Sequence, residues 1–273
     1  MKASFDFSGA HVVVFGGTSG INLGIAEGFA RAGASVCVAS RDAGRVDAAV
    51  ARLRGLGAAA EGAACDVRDA AAVEAAMGRF HDAFGAIDVL VSGAAGNFPA
   101  PAAGMSPNAF RAVVEIDLLG TYHVCRAGFA RLRRPGASVI TISAPQGQVA
   151  MALQSHVCAA KAGVDLLTRT LALEWGPLGI RVNAIVPGPI AGTEGMARLA
   201  PTPQMRARVD RSVPLGRQGR AEEIAAAALF LASDAASYVS GALLAVDGGW
   251  LAAGVPLGLG EAAPAVPPAG PGG

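Results

Sequence analysis

Short, continuously apolar runs alternate with longer stretches of helical periodicity along almost the whole chain. The runs are His11–Phe15, Ser35–Ala39, Ala59–Cys65, Ile87–Ser92, Ser138–Ile142, Arg181–Ile185 and Leu243–Val246. The helical stretches lie near 25–32, 42–54, 70–84, 108–133, 156–175 and 221–232. A strand that is apolar at every position, not at every second one, has both faces covered. Strands of that kind regularly interleaved with helices predict a parallel, doubly wound α/β sheet. The chain has 273 residues, enough for one large domain with a buried core. No internal repeat and no second domain interrupt the rhythm. A single domain is therefore expected over residues 1–250.

The rhythm breaks twice. Residues 187–215 carry Pro187, Pro189, Pro201, Pro203 and Pro214. That is too long for an ordinary connection, and a lid over a substrate site is expected. Residues 251–273 are rich in Gly, Pro and Ala and read as a flexible tail. Its last residues, Gly-Pro-Gly-Gly, are not a peroxisomal address. The formal net charge is +1, which gives no electrostatic case for nucleic acid or an anionic membrane. The first residues lack a signal-peptide core, and no uncharged apolar run reaches the ~18 residues that span a bilayer. Cys37, Cys65, Cys125 and Cys158 form no Cys-x-x-Cys pair, and His11, His81, His123 and His156 show no metal-ligand spacing. A cytoplasmic protein with reduced thiols and no metal is expected.

The first strand runs directly into Gly16-Gly17-Thr18-Ser19-Gly20-Ile21-Asn22-Leu23-Gly24. Glycines there let backbone approach a pyrophosphate, and the helix that follows offers its positive end. In this strand–turn–helix setting the motif points to a Rossmann-type dinucleotide site involving Gly16, Thr18, Ser19, Gly20 and Ile21. Ser40 and Arg41 follow the second strand. Arginine there favours the 2′-phosphate of NADPH; otherwise it is a solvated surface residue. Asp66 and Val67 follow the third strand, where the carboxylate can accept from an adenine amino group or cap the helix that starts near Asp69.

Together, the glycine turn, Asp66-Val67, Ala94-Ala95-Gly96, Lys161, Pro187-Gly188 and Tyr238-Val239-Ser240-Gly241…Val246-Asp247-Gly248-Gly249 resemble the short-chain dehydrogenase/reductase superfamily. The resemblance spans roughly residues 8–250 and is specific for fold and cofactor class, not for substrate. It adds Ala94, Gly96, Lys161, Pro187, Gly188 and Ile190 to the expected cofactor contacts. The departures bear on the chemistry. The family's tyrosine, four residues before Lys161, is Val157, and neither Tyr122 nor Tyr238 has a lysine four residues on. The catalytic serine position falls at Ala144, with Ser143 one residue early. The structural asparagine is Asp117, the third glycine is Asn22, and the threonine before the first glycine is Phe15.

One branch shares several of these departures. Ala94-Ala95-Gly96-Asn97-Phe98, Glu115-Ile116-Asp117…Gly120-Thr121, Ala152-Leu153-Gln154-Ser155-His156, Glu174-Trp175-Gly176-Pro177 and Pro187 to Gly195 are similar to 2,4-dienoyl-CoA reductases, particularly the peroxisomal type. The resemblance implies NADPH-dependent reduction of a 2,4-dienoyl-CoA to a 3-enoyl-CoA. Ketone reduction creates an alkoxide at the carbon that receives hydride, and a phenol beside it supplies the proton. In a dienoyl thioester hydride adds at the δ-carbon, and negative charge moves to a remote thioester oxygen. The site then needs donors at that oxygen and a proton for the α-carbon.

Roles follow from this reading. Lys161 holds the nicotinamide ribose and lends charge. Asp117, with Lys161, positions a water that delivers the proton, or else only bridges two helices. Asn97 donates to the thioester oxygen or is a turn residue; Phe98 borders substrate or fills core. Ser106 and Asn108 match a CoA-contacting stretch, although Ser106 also suits a helix N-cap before Pro107. Arg68 and Arg198 are candidates for CoA phosphates. His156 lies next to, not at, the tyrosine's place. CoA is preferred to an acyl-carrier protein, an option that Arg206, Arg208, Arg211, Arg217 and Arg220 leave open. A carbonyl reductase with a non-tyrosine relay and a cofactor-binding pseudoenzyme are the other readings. A homodimer or homotetramer is expected on family grounds.

Overall fold

A computed structural model describes residues 4–254. The expected tail lies outside the described residues from position 255 on. Seven strands form one parallel sheet in the order β3-β2-β1-β4-β5-β6-β7. They are β1 (His11–Phe15), β2 (Ser35–Ser40), β3 (Ala60–Ala64), β4 (Val89–Ser92), β5 (Ser138–Ile142), β6 (Arg181–Pro187) and β7 (Leu243–Val246). The helices are α1 (Gly20–Arg31), α2 (Ala43–Gly55), α3 (Ala70–Phe84), α4 (Pro107–Val114), α5 (Gly120–Phe129), α6 (Ser155–Trp175), α7 (Glu194–Leu199), α8 (Pro203–Ser212) and α9 (Ala221–Ala232).

The continuous apolar runs are explained by the two layers. In β1, Val12 and Val14 join a core with α1, α2 and α9, while Val13 and Phe15 join a second core with α3, α5 and α6. Alternate side chains thus serve opposite faces. Small residues set the tightest helix contact. A Cβ on Gly24 of α1 would lie 2.6 Å from Ala221 Cβ of α9, and one on Gly28 would lie 2.9 Å from Ala225 Cβ.

Strand positions match the sequence reading to within two residues at each end, and three differences concern the helices. The stretch expected as one helix over 108–133 is broken by a π-helical segment, Glu115–Leu119, between α4 and α5. The 187–215 segment carries two helices, α7 and α8, each N-capped by a threonine hydroxyl, Thr193 on Met196 N and Thr202 on Met205 N. Prolines there mark helix starts as well as breaks, Pro203 being the first residue of α8. Finally, Asp69, not Asp66, caps α3, by accepting from Ala71 N and Ala72 N.

Sheet order reverses direction between β1 and β4. Their ends lie side by side, Phe15 beside Ser92. In such sheets the crevice beyond the carboxyl ends at this point receives the ligand.

Candidate active site

The cleft at that point encloses about 1210 Å³, room for a dinucleotide and an acyl chain together. Its floor at one end is the turn between β1 and α1. Gly16 has φ +79°, and a Cβ there would sit 2.8 Å from Ala94 N. Gly20 has φ +53°. Ser19, at the N-cap of α1, makes no side-chain cap, so the hydrogen-bond donors of the first turn remain open to an anion. Backbone that close to β4, with no side chain between, fits a pyrophosphate. The same cleft wall includes Thr18, Ile21, Ser40, Arg41, Asp66, Val67, Ala94, Gly96, Pro187, Gly188 and Ile190. The structure therefore gathers every expected cofactor residue into one cleft.

Asn22 replaces a glycine at this turn. Its Nδ2 donates to Gly93 O at 2.7 Å, tying the turn to the end of β4. That position needs glycine at 93, since a Cβ there would lie 2.2 Å from Asn22 Oδ1. One further residue, Arg45 in the first turn of α2, reaches the same wall and pairs with Glu194 of α7 at 2.8 Å. Its only sequence signal is that it lies four residues, one helical turn, after Arg41.

The other end of the cleft is built on the π-helical turn and α6. A π turn carries one extra residue per turn. Here it contains Asp117, 1% exposed, whose Oδ1 accepts from Gly96 N at 2.7 Å and whose Oδ2 lies 3.2 Å from Lys161 Nζ. Lys161 is 5% exposed and also donates to Ile142 O at 3.0 Å. Two opposite charges are thus buried together between sheet and helix. Such a pair is weak evidence of stability, because desolvation opposes the attraction. Val157, one turn before Lys161, also faces the cleft and packs with Val113 and Ala160. No phenol stands there.

Ser143 donates to Asp165 in a very short hydrogen bond. Burial pushes the Asp165 carboxyl up. His156 is fully buried, its ring 4.5 Å from that of Phe98, and burial holds its pKa below the usual histidine value. Cys37, Cys65 and Cys125 are buried, with the Cys65 thiol pushed up to about 11 and that of Cys125 to about 12. Such thiols are inert at neutral pH.

The candidate substrate residues divide. Asn97 and Arg198 line the cleft, and Arg198 donates to Asn97 O at 3.3 Å. Arg68 does not line it; its guanidinium grips Asp66 at 2.6 Å and holds that carboxyl below the usual range. Phe98 packs on His156 with Val113, Val157 and Ala160, away from the lining. Ser106 caps α4 by accepting from Ala109 N, and Asn108 is in that helix, also outside the lining.

The sequence profile of a family described as enoyl-(acyl carrier protein) reductase matches residues 16–251. The peroxisomal 2,4-dienoyl-CoA reductase, (3E)-enoyl-CoA-producing, of Pongo abelii is 46% identical over 87% of this chain and 82% of that protein. A probable 2,4-dienoyl-CoA reductase, (2E)-enoyl-CoA-producing, of Bacillus subtilis is 40% identical over 88% of this chain and 96% of its own. Among solved structures, a short chain dehydrogenase from Bacillus anthracis superposes with a TM-score of 0.80 at 35% identity, covering 89% of this chain and 97% of that one.

Proposed function

The chain belongs to the short-chain dehydrogenase/reductase family, and from that premise we propose that it reduces a 2,4-dienoyl-CoA to a 3-enoyl-CoA with NADPH. The observation that carries the reading is the cleft around Lys161. The lysine and its buried partner Asp117 are in place, while Val157 stands where carbonyl reduction needs an acid. Relatives at 46% and 40% identity carry the dienoyl-CoA reductase name.

NADPH, when bound, supplies a hydride to the δ-carbon. The double-bond electrons move toward the thioester, and negative charge gathers on its oxygen. Water bound to Asp117 and Lys161 then gives a proton to the α-carbon and regains one from solvent, leaving one double bond between the β- and γ-carbons and NADP⁺ as the other product. Asp117 is suited to hold that water. Its Oδ1 is anchored on Gly96 N, and its Oδ2 faces the Lys161 ammonium. Protonation at the γ-carbon instead would yield a 2-enoyl-CoA, the product in the name of the Bacillus subtilis relative.

The test compares NADPH oxidation with a 2,4-dienoyl-CoA and with a matched 3-ketoacyl-CoA, in deuterated water. The expected result is turnover of the dienoyl substrate alone, with deuterium at the α-carbon of a 3-enoyl product. Turnover of the ketone alone would overturn the reading.

NADPH rather than NADH is supported by Arg41 and Arg45 on the wall beyond β2. A charge-assisted hydrogen bond is worth about 1.5–3 kcal/mol, so Arg41→Ala is expected to weaken NADPH binding by roughly 10- to 100-fold and to leave NADH binding unchanged. Equal losses for both cofactors in fluorescence titrations would count against a 2′-phosphate contact. For CoA, Arg198 at the cleft is the favoured phosphate ligand. Arg68, Ser106 and Asn108 would meet the coenzyme only where it runs outside the cleft, and Phe98 supports the acyl site from behind. A homodimer or homotetramer is supported by exposed Leu166 (64%) and Leu173 (80%) on α6, apolar surface that association would cover. A reducing cytoplasmic setting belongs to the proposal too, in keeping with four free cysteines.

A further inference from the structure

Buried polar atoms in folded proteins almost always have partners, and the exceptions need a reason. Four side chains that line the cleft carry a buried oxygen with no hydrogen-bond partner: Asn22, Asn97, Asp117 and Gln154. Asn22 is tied to Gly93 at the pyrophosphate end, Asp117 faces Lys161, and Asn97 is already a candidate for the thioester. Gln154 has no assigned role, and no sequence reading gave it one.

Its setting is unusual for a glutamine. Gln154 is 2% exposed. It occupies the N-cap of α6, yet its side chain makes no capping bond, so the carboxamide is not used by the helix. The backbone that aims it is constrained. Leu153, just before it, has φ +64°, the one non-glycine residue with positive φ among the described residues. Leu153 O accepts from Ala100 N at 3.0 Å, and Gln154 N donates to Met151 O at 3.2 Å. A leucine in left-handed conformation is strained, and such strain gathers where a ligand is gripped. Gln154 lies three residues before Val157, about 4.5 Å along the helix axis and on the side away from Lys161. By the family resemblance Val157 occupies the tyrosine's place, next to which the hydride-accepting carbon is expected. Gln154 therefore stands where a conjugated acyl group, extended along α6, would place its carbonyl.

We infer that the Gln154 carboxamide donates to the thioester oxygen of the substrate and stabilises the negative charge that collects there, with Asn97, which lines the same cleft, as its companion. The inference rests on the dienoyl reading above. The amide oxygen is itself buried, so the amide nitrogen is the end of this cleft-lining side chain left to donate to a ligand. Removing one donor of this kind typically costs about 100-fold or more in kcat.

The test is Gln154→Leu, which keeps the volume and removes the amide. Replacing an unpartnered buried amide by an apolar group is close to neutral for stability. The expected result is an unchanged or higher Tm, unchanged NADPH affinity, and kcat for dienoyl-CoA lowered by about 100-fold. A second readout is the absorption band of dienoyl-CoA on the NADP⁺ complex. The wild-type protein should shift that band to longer wavelength by polarising the carbonyl, and Gln154→Leu should lose much of the shift. Wild-type kcat together with an intact shift in the variant would overturn the inference and leave the function standing. A loss of Tm and NADPH affinity in parallel with kcat, with the shift intact, would make Gln154 merely structural and overturn it as well. If the wild-type protein neither turns over dienoyl-CoA nor shifts its band, the proposed function falls first and this inference with it.

Discussion

Asp117→Asn is expected to lower kcat for dienoyl-CoA by about 100-fold or more, the usual weight of a positioned proton donor, in a protein that stays folded. Asparagine keeps an oxygen for Gly96 N, which Asp117 Oδ1 now binds at 2.7 Å, and so preserves the π-helical turn. It removes the negative charge 3.2 Å from Lys161 Nζ. The water proposed to bind at this pair then loses its carboxylate acceptor. Asp117→Ala should do more. It strips the turn of its anchor and leaves Lys161 buried with only Ile142 O as partner. Breaking a buried pair in this way costs about 3–5 kcal/mol. For a domain of this size that corresponds to a fall in Tm on the order of 10 °C. Thermal unfolding and steady-state kinetics on both variants separate the two roles. An asparagine variant with wild-type kcat would confine Asp117 to joining the central helix to α6.

Gly16→Ala should abolish useful cofactor binding and destabilise the fold. Two effects coincide there. The backbone has φ +79°, and the new Cβ would lie 2.8 Å from Ala94 N and 3.0 Å from Asn22 Nδ2. Backbone is not free to move aside, because β1 and β4 are paired up to Phe15 and Ser92. The strain alone is worth about 1–3 kcal/mol, and the collision adds to it. NADPH Kd is expected to rise by at least about tenfold, about 1.4 kcal/mol, because the methyl group forces the turn away from the pyrophosphate position. Gly9→Ala is the matched control. It has the same φ of +79° and nothing within 4 Å of its Cβ. It should show the loss of Tm from φ strain with no change in NADPH affinity. Equal cofactor affinities in the two variants would mean that the close approach at Gly16 does not shape the site.

Much of the cofactor end was legible from local pattern. Gly16, Gly20, Arg41, Asp66 and Ile190 all line one cleft because each lies within five residues of the end of a strand, and parallel strands deliver their carboxyl ends to one edge. The substrate end was less legible. Arg68 reads as a free cation in sequence, yet it is spent on Asp66 two residues away, a contact decided by the turn that joins β3 to α3. Ser106 fulfils its role as a cap, which a sequence does show, and stands outside the cleft lining. Arg45 gave almost no signal, and Gln154 appeared only within a motif and without a role, because what singles them out is the company of α7 and of the 144–154 loop.

From its sequence alone this chain determined the succession of apolar runs, the glycine turn, the lysine and the missing phenol, since each depends on neighbours a few residues apart. Only the tertiary structure decided that the helix over 108–133 opens into a π turn at Asp117, that the carboxylate meets Lys161 forty-four residues on, and that Gln154 is left with an unpartnered oxygen at the cleft. Those outcomes depend on packing between distant segments, where burial and the need to pair buried polar groups choose among conformations that local preference leaves nearly equal.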